Sequence, residues 1–295
     1  MILLSATLLM PLLVVRGGAL VPSGQKPDLG EHLIEQLTSR TNGNSSNFTG
    51  PTDGSNYFQT MPTNTPDFWL RDVTNILAMS QGRMDGVRIA SCANYITPIS
   101  PHICIGAAHT GGGDGTMNLW LLPDGSYYRN QILCSQRPAN SGDIILMFMK
   151  ETNWTWVKIF PNAKDKLKYW QQPNASNTAP VFVRFHQGIG RTNQFHSAFV
   201  SGSTGLGMFG HISGQFKFGD YSKGNMWMAG DSGGAAYAII KNEAVLVCLA
   251  SSGGGGTPIA NFTNQINDAI SALCARNGMA AEKLTLYDLS GFASY

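Results

Sequence analysis

A chain of 295 residues is long enough for one large domain or two small ones. Only 13% of its residues are charged, 34 are glycine and the formal net charge is +2. Such a nearly neutral, turn-rich surface carries no electrostatic footprint for nucleic acid or for an acidic lipid surface.

Residues 2–15 are almost wholly apolar and are followed by Arg16, Gly17, Gly18 and Ala19. The run falls short of the roughly 20 apolar residues that a spanning helix needs, so stable membrane insertion is not expected. It suits the hydrophobic part of a secretory signal over residues 1–19, with cleavage after Ala19 and a secreted or periplasmic product. Residues 28–40 read as an amphipathic helix. Asp28 caps it, Glu31 sits three residues on, and Leu29, Leu33, Ile34 and Leu37 share one face. Residues 41–66 are rich in Asn, Ser, Thr, Gly and Pro, a linker composition. Residues 20–85 therefore form either a leader or pro-segment, or an arm wrapped over the main domain.

From Gly86 the pattern changes to short apolar runs broken by Gly, Pro, Asn and Asp. Residues 87–97 and 102–106 read as paired strands across the turn at 98–101. Residues 117–122 and 126–133 flank Pro123-Asp124-Gly125, a hairpin signal. Further strands fall at 143–150, 154–160, 180–185, 194–201, 206–218, 235–240 and 244–249. Short strands at this spacing without long intervening helices predict an all-β barrel or sandwich. The exception is 261–276, where Phe262, Ile266, Ala269, Ile270 and Leu273 repeat at helical spacing. One C-terminal helix thus packs on a β body, and 277–295 form a tail.

The five cysteines are Cys92, Cys104, Cys134, Cys248 and Cys274. Their spacing fits no zinc pattern, and either one or two disulfides or small core residues account for them. Five N-x-S/T sequons, at Asn44, Asn47, Asn153, Asn174 and Asn261, matter only in a eukaryotic secretory pathway. Gly205-Leu206-Gly207-Met208-Phe209-Gly210 matches a dinucleotide fingerprint, but the residues after it alternate like a strand and open no helix. The glycine runs at 111–113 and 252–256 lack the Lys-Ser/Thr partner of a phosphate loop. No His, Asp or Glu cluster has metal-ligand spacing, so neither a metal nor another cofactor is expected.

Ala229-Gly230-Asp231-Ser232-Gly233-Gly234-Ala235 is the stretch with chemistry in it. A serine between glycines can sit on a tight turn with room for a substrate carbonyl above its hydroxyl. The amides of Gly230 and Ser232 would face a developing oxyanion. Such a serine needs a base and an acid that orients the base. All six histidines, at 32, 102, 109, 186, 196 and 211, precede Ser232, an order that excludes the α/β-hydrolase arrangement. His109 ends an apolar strand before a glycine-rich loop, as a half-anchored base should. His186 is its main competitor, His102 reads as a surface residue of a turn, and His32, His196 and His211 lack supporting context. Asp143 opens the apolar run 144–147, so it is expected at least half buried and in need of a hydrogen-bonding partner.

Ala107-Ala108-His109, Gly142-Asp143-Ile144 and Gly230-Asp231-Ser232-Gly233-Gly234 together, in that order, resemble the signature segments of chymotrypsin/trypsin-like serine proteases. Weaker matches are Ile96 through His102, Gln187-Gly188-Ile189-Gly190-Arg191-Thr192, which makes His186 structural, and Ala250-Ser251-Ser252-Gly253. The resemblance covers residues 86–276. It implies two six-stranded antiparallel barrels with a boundary near 164–179, a C-terminal helix, a His109–Asp143–Ser232 triad in the cleft, and a polypeptide substrate. It also implies that Met226, Ser251, Ser252 and Gly253 line the substrate pocket. Three departures qualify it. Thr110 stands where many animal members carry Cys, and no Ile-Val-Gly-Gly-like start offers a partner for Asp231. Met226 stands where trypsins carry Asp, so specificity for Lys or Arg is not expected. The reading from another class is a catalytically silent member that acts as a binding protein.

Overall fold

Antiparallel strands dominate the described residues, because the apolar runs are short and punctuated. The computed structural model describes residues 25–41, 73, 75, 78–80, 83–84, 87–88, 96–110, 113–121, 127–150, 154–161, 169, 181–186, 197–205, 208–210, 232–252 and 255–294. Helix α1 (Leu29–Thr41) comes first. Strands β1 (Ala78–Ser80), β2 (Arg83–Met84), β3 (Val87–Arg88), β4 (Ile96–Pro98), β5 (Ile103–Ala107), β6 (Met117–Leu121), β7 (Tyr127–Gln136) and β8 (Ile144–Met149) come next. Strands β9 (Lys158–Ile159), β10 (Val181–His186), β11 (Ser197–Gly205), β12 (Met208–Gly210), β13 (Ala235–Ile240), β14 (Glu243–Ser252) and β15 (Gly255–Pro258) make up the second half. A 3-10 turn (Ile259–Phe262) then leads into helix α2 (Thr263–Arg276).

The first sheet has six strands in the order β1-β6-β7-β8-β5-β4. Strand β7 changes partner midway: its residues 127–131 pair with β6 and its residues 132–136 with β8, with a register shift between Ile132 and Cys134 at the start of the second pairing. That irregularity lets one long strand serve two directions. The second sheet has seven strands, in the order β12-β11-β10-β13-β14-β15, with β9 added in parallel to β14. Its path ends, β12 and β15, approach each other, so this antiparallel sheet curls on itself. The predicted hairpin at 117–133 is present as β6–β7, and of the G-x-G-x-x-G residues Gly205, Met208, Phe209 and Gly210 take part in the β11–β12 pairing, Gly205 facing Met208.

One apolar core joins the two sheets. It includes Ile103, Ile105, Leu146 and Phe148 of the first and Ala236, Ile239, Leu246 and Leu249 of the second. Helix α2 contributes Ile266, Ala269, Ile270, Leu273 and Cys274, the face its spacing predicts. Tyr237 on β13 hydrogen-bonds the Thr97 side chain on β4, and burial pushes its phenol up to about 12, so it stays neutral. Cys104, Cys134, Cys248 and Cys274 are buried and unbridged, which makes them core residues and not disulfide partners; Cys92 lies outside the described residues. The strand expected over 154–160 reduces to Lys158–Ile159, and β15, which is not among the expected strands, takes in the end of the glycine run at 252–256. Among the described residues no helix is long and apolar enough to cross a membrane.

The helix predicted at 28–40 packs against β13 and β10. Asp28 Oδ1 accepts the Glu31 N–H at 2.8 Å, the expected cap, and Leu29 and Leu33 are fully buried. The residues just before α1 are tied to the C-terminal tail, where Ala293 N–H donates to Pro27 O at 2.9 Å and Lys26 Nζ to Ser290 O at 2.7 Å. His32 Nε2 accepts the Lys241 N–H at 3.1 Å, at a residue held at φ 56, and its ring lies 5.2 Å from that of Phe292.

His102, read from sequence as a surface residue, is enclosed. Its side chain is 19% exposed, its Nδ1 lies 2.5 Å from Glu282 Oε1, and its ring stacks on Phe148. The same carboxylate accepts from Ser100 Oγ at 2.5 Å and from the His102 N–H at 3.0 Å. The sequence misleads here because Glu282 is distant in the chain and folds back only with the tail. The tail also buries Leu284, Leu289 and Phe292.

The packing of α1 can be tested in two ways. Leu33→Ala removes a fully buried side chain from the shared core and is expected to lower stability by about 2–5 kcal/mol in urea unfolding. An unchanged midpoint would mean that α1 is not part of the folding unit. The second test concerns acid. Burial, opposed by Glu35 and reinforced by Lys241, lowers the pKa of His32 from 6.5. Below about pH 6.5 the unfolded chain therefore binds a proton that the folded chain refuses, and stability falls as pH drops through that window. Substituting His32→Gln, which keeps an acceptor, should flatten that part of the stability–pH curve.

Candidate active site

The pairing of β5 with β8 determines the first two members of the site. The strands are antiparallel, with Ala107 opposite Ile144. The residues leaving the end of β5 therefore lie beside those entering β8, and His109 meets Asp143 there. Ala108 N–H donates to Asp143 O at 3.2 Å, and His109 N–H donates to Asp143 Oδ1 at 2.9 Å. The other carboxylate oxygen, Oδ2, lies 2.5 Å from His109 Nδ1. A carboxylate only accepts, so Nδ1 carries the ring proton and Nε2 is left with its lone pair outward. The His109 side chain is 47% exposed and that of Asp143 24%, so the acid is largely covered while the base faces out.

Ser232 comes from the second sheet. Its turn is pinned to β14 by two bonds of 2.8 Å, from Gly233 N–H to Ala250 O and from Ala250 N–H to Gly234 O. Gly233 takes φ 82, a left-handed conformation that a side chain resists. This bend, made immediately before β13, presents the serine away from its strand. Ser232 Oγ lies 2.7 Å from His109 Nε2, so the hydroxyl donates to the imidazole lone pair. A continuous Asp143–His109–Ser232 chain of hydrogen bonds thus spans the two sheets.

Two residues that sequence patterns do not assign to the site bond to the turn that carries His109. Thr110 Oγ1 donates to Ala107 O at 2.7 Å. Arg137 Nη2 donates to Ala108 O at 2.7 Å. Thr110 is next to His109 in sequence and stands out there only for not being a cysteine. Arg137 gives no signal, because its partner is a backbone carbonyl 29 residues away.

The remaining expected residues are placed only in part. Ser251 and Ser252 end β14, and Ser252 pairs with Gly255 on β15. Gly230, Met226 and Gly253, expected at the oxyanion site and the pocket, lie outside the described residues, as do Asp231, His196 and His211. His186, the rival base, ends β10 opposite Ser197. Among the described residues no group of three His, Cys, Asp or Glu side chains is arranged to hold a metal ion. No protein-family model matches the chain, and no curated protein matches it.

The bend at Gly233 is testable by itself. Gly233→Ala places a Cβ on a left-handed backbone and is expected to destabilise the fold by about 1–2 kcal/mol. It should also slow the reaction of Ser232 with a serine-directed reagent, since the turn must relax away from His109. Unchanged stability and labelling would show that the turn tolerates an ordinary residue.

Proposed function

We propose that the chain is a serine endopeptidase of the chymotrypsin/trypsin-like kind. The observation that carries this reading is the relay itself: Asp143 Oδ2 2.5 Å from His109 Nδ1, and His109 Nε2 2.7 Å from Ser232 Oγ. The His, Asp, Ser order along the chain and the antiparallel sheets with a C-terminal helix support it. In this reading the six- and seven-stranded sheets are the walls of two barrels, with the triad between them.

His109 Nε2 takes the proton of Ser232 as Oγ attacks the peptide carbonyl carbon. Asp143 remains ionised, holds the imidazole in the Nδ1–H tautomer and stabilises the imidazolium that forms. The amides of Gly230 and Ser232 receive the negative charge on the carbonyl oxygen. His109 then gives its proton to the leaving amine. A water molecule, deprotonated in turn by His109, hydrolyses the acyl-enzyme and restores Ser232. Every proton moves through one nitrogen, and no cofactor is needed. With Met226 in the pocket no carboxylate awaits a Lys or Arg side chain, so cleavage is directed to residues other than basic ones.

The decisive experiment is labelling with a fluorophosphonate followed by peptide-library cleavage. Ser232→Ala should abolish labelling, and Asp143→Asn should reduce turnover by roughly 10³–10⁴-fold. Absence of labelling in the wild-type protein, with or without trimming of its N-terminal segment, would turn the reading to a silent fold used for binding. A preference for Lys or Arg before the cleaved bond would refute the role given to Met226.

A further inference from the structure

The Ala108–His109 peptide is held at both of its polar ends by a single loop. Its N–H, belonging to His109, donates to Asp143 Oδ1 at 2.9 Å. Its C=O, belonging to Ala108, accepts from Arg137 Nη2 at 2.7 Å in a partly buried bond. Arg137 follows the last residue of β7 and Asp143 precedes the first of β8, so the two partners begin and end the same link. That link has its own bracing. Ser141 Oγ, buried, donates to Pro138 O at 2.8 Å, while Asn140 and Gly142 take φ 53 and φ 65. The two clamps are therefore set at a fixed separation by the fold of residues 137–143.

We propose that Arg137 is a positioning residue for His109, its guanidinium fixing the Ala108–His109 peptide so that the imidazole stays in reach of Ser232 Oγ. This rests on the serine-peptidase reading of the site. The imidazole leaves the backbone at the Cα that this peptide carries, so rotation of the peptide plane redirects the ring. Asp143 restrains the ring and the N–H, but both restraints come from one carboxylate and permit a concerted tilt. The Arg137 bond acts at the opposite end of the peptide and opposes that tilt. It is charge-assisted, roughly twice as strong as a neutral hydrogen bond. Withdrawal of electron density at the carbonyl also makes the N–H at the other end a better donor to Asp143. Thr110 Oγ1 bonds to Ala107 within the same turn, whereas Arg137 ties the turn to the neighbouring β7–β8 link.

The test compares wild type, Arg137→Met and Arg137→Lys by three measurements: fluorophosphonate labelling rate, kcat and KM on a peptide substrate, and thermal unfolding. A low-field proton NMR spectrum of the His109 Nδ1–H accompanies them. Arg137→Met is expected to slow labelling and lower kcat by about 10- to 100-fold with KM little changed. Arg137→Lys, which restores a charged donor, should recover most of the loss. The Nδ1 proton resonance should move upfield or broaden in Arg137→Met and return in Arg137→Lys. Labelling and kcat at the wild-type level in a folded Arg137→Met protein would overturn the proposal. So would a loss that appears only as a higher KM, or a kcat loss that folded Arg137→Lys does not relieve. Should Arg137→Met fail to fold, Arg137→Gln decides by the same criteria. Wild type that takes no label at all removes the peptidase reading, and the Nδ1 resonance then decides the positioning claim alone.

Discussion

The register of β5 against β8 is the constraint on which the site depends. Side chains alternate across a strand, so a slip of one residue would exchange Ile103 and Ile105, in the core shared by the two sheets, with Cys104, in a second apolar cluster on the other face. The burial of all five β5 residues and all six β8 residues makes that slip expensive. With Ala107 held opposite Ile144, the carboxylate that precedes β8 has little choice but to lie against the turn that follows β5. The apolar packing of two strands thus places two polar groups that the core itself never touches.

Ser232 depends on a second constraint, the junction between sheets. Its turn is fastened to β14 through Gly233 and Gly234, and β14 packs against β5. Tyr237, five residues after the serine, hydrogen-bonds Thr97 across the junction. Helix α2 closes the other side, contacting β7 and β8 of the first sheet while its apolar face joins the shared core. The hydrogen bond between His109 and Ser232 spans a junction that is already fixed by burial. It therefore need not hold the two halves together.

Local patterns made much of this legible in the sequence. Both helices declared themselves through apolar spacing, and α1 through its Asp28 cap. The β6–β7 hairpin declared itself through Pro123-Asp124-Gly125. The three polar groups of the relay were recoverable because each stands at a boundary between an apolar run and a glycine-bearing turn, where a side chain can be both anchored and presented. The features hidden from the sequence were set by long-range closure. The Glu282 partner of His102 lies 180 residues away, and the exchange of partners along β7 depends on two different strands. Strand β15 hid in a glycine run because its pairing with β14 supplies what glycine's weak strand propensity does not.

The two carboxylate-bound histidines show why the relay cannot be identified by a His–acid pair alone. His102 and His109 both have a carboxylate oxygen 2.5 Å from Nδ1, and both have their backbone N–H bonded to that same carboxylate. At His102 the ring is 19% exposed and stacked on Phe148, and the carboxylate is shared with Ser100, a hydroxyl that thereby becomes a donor to the acid. That pair fastens the tail to the β4–β5 turn. At His109 the carboxylate's bonds go to the histidine's own backbone and ring, the ring is 47% exposed, and Nε2 meets a serine hydroxyl held out by a left-handed glycine. The same pair of side chains fastens structure where the hydroxyl sits on the acid. Where the hydroxyl sits on the far nitrogen of the ring, as at Ser232, the imidazole is left as the acceptor that the proposed peptidase reading requires.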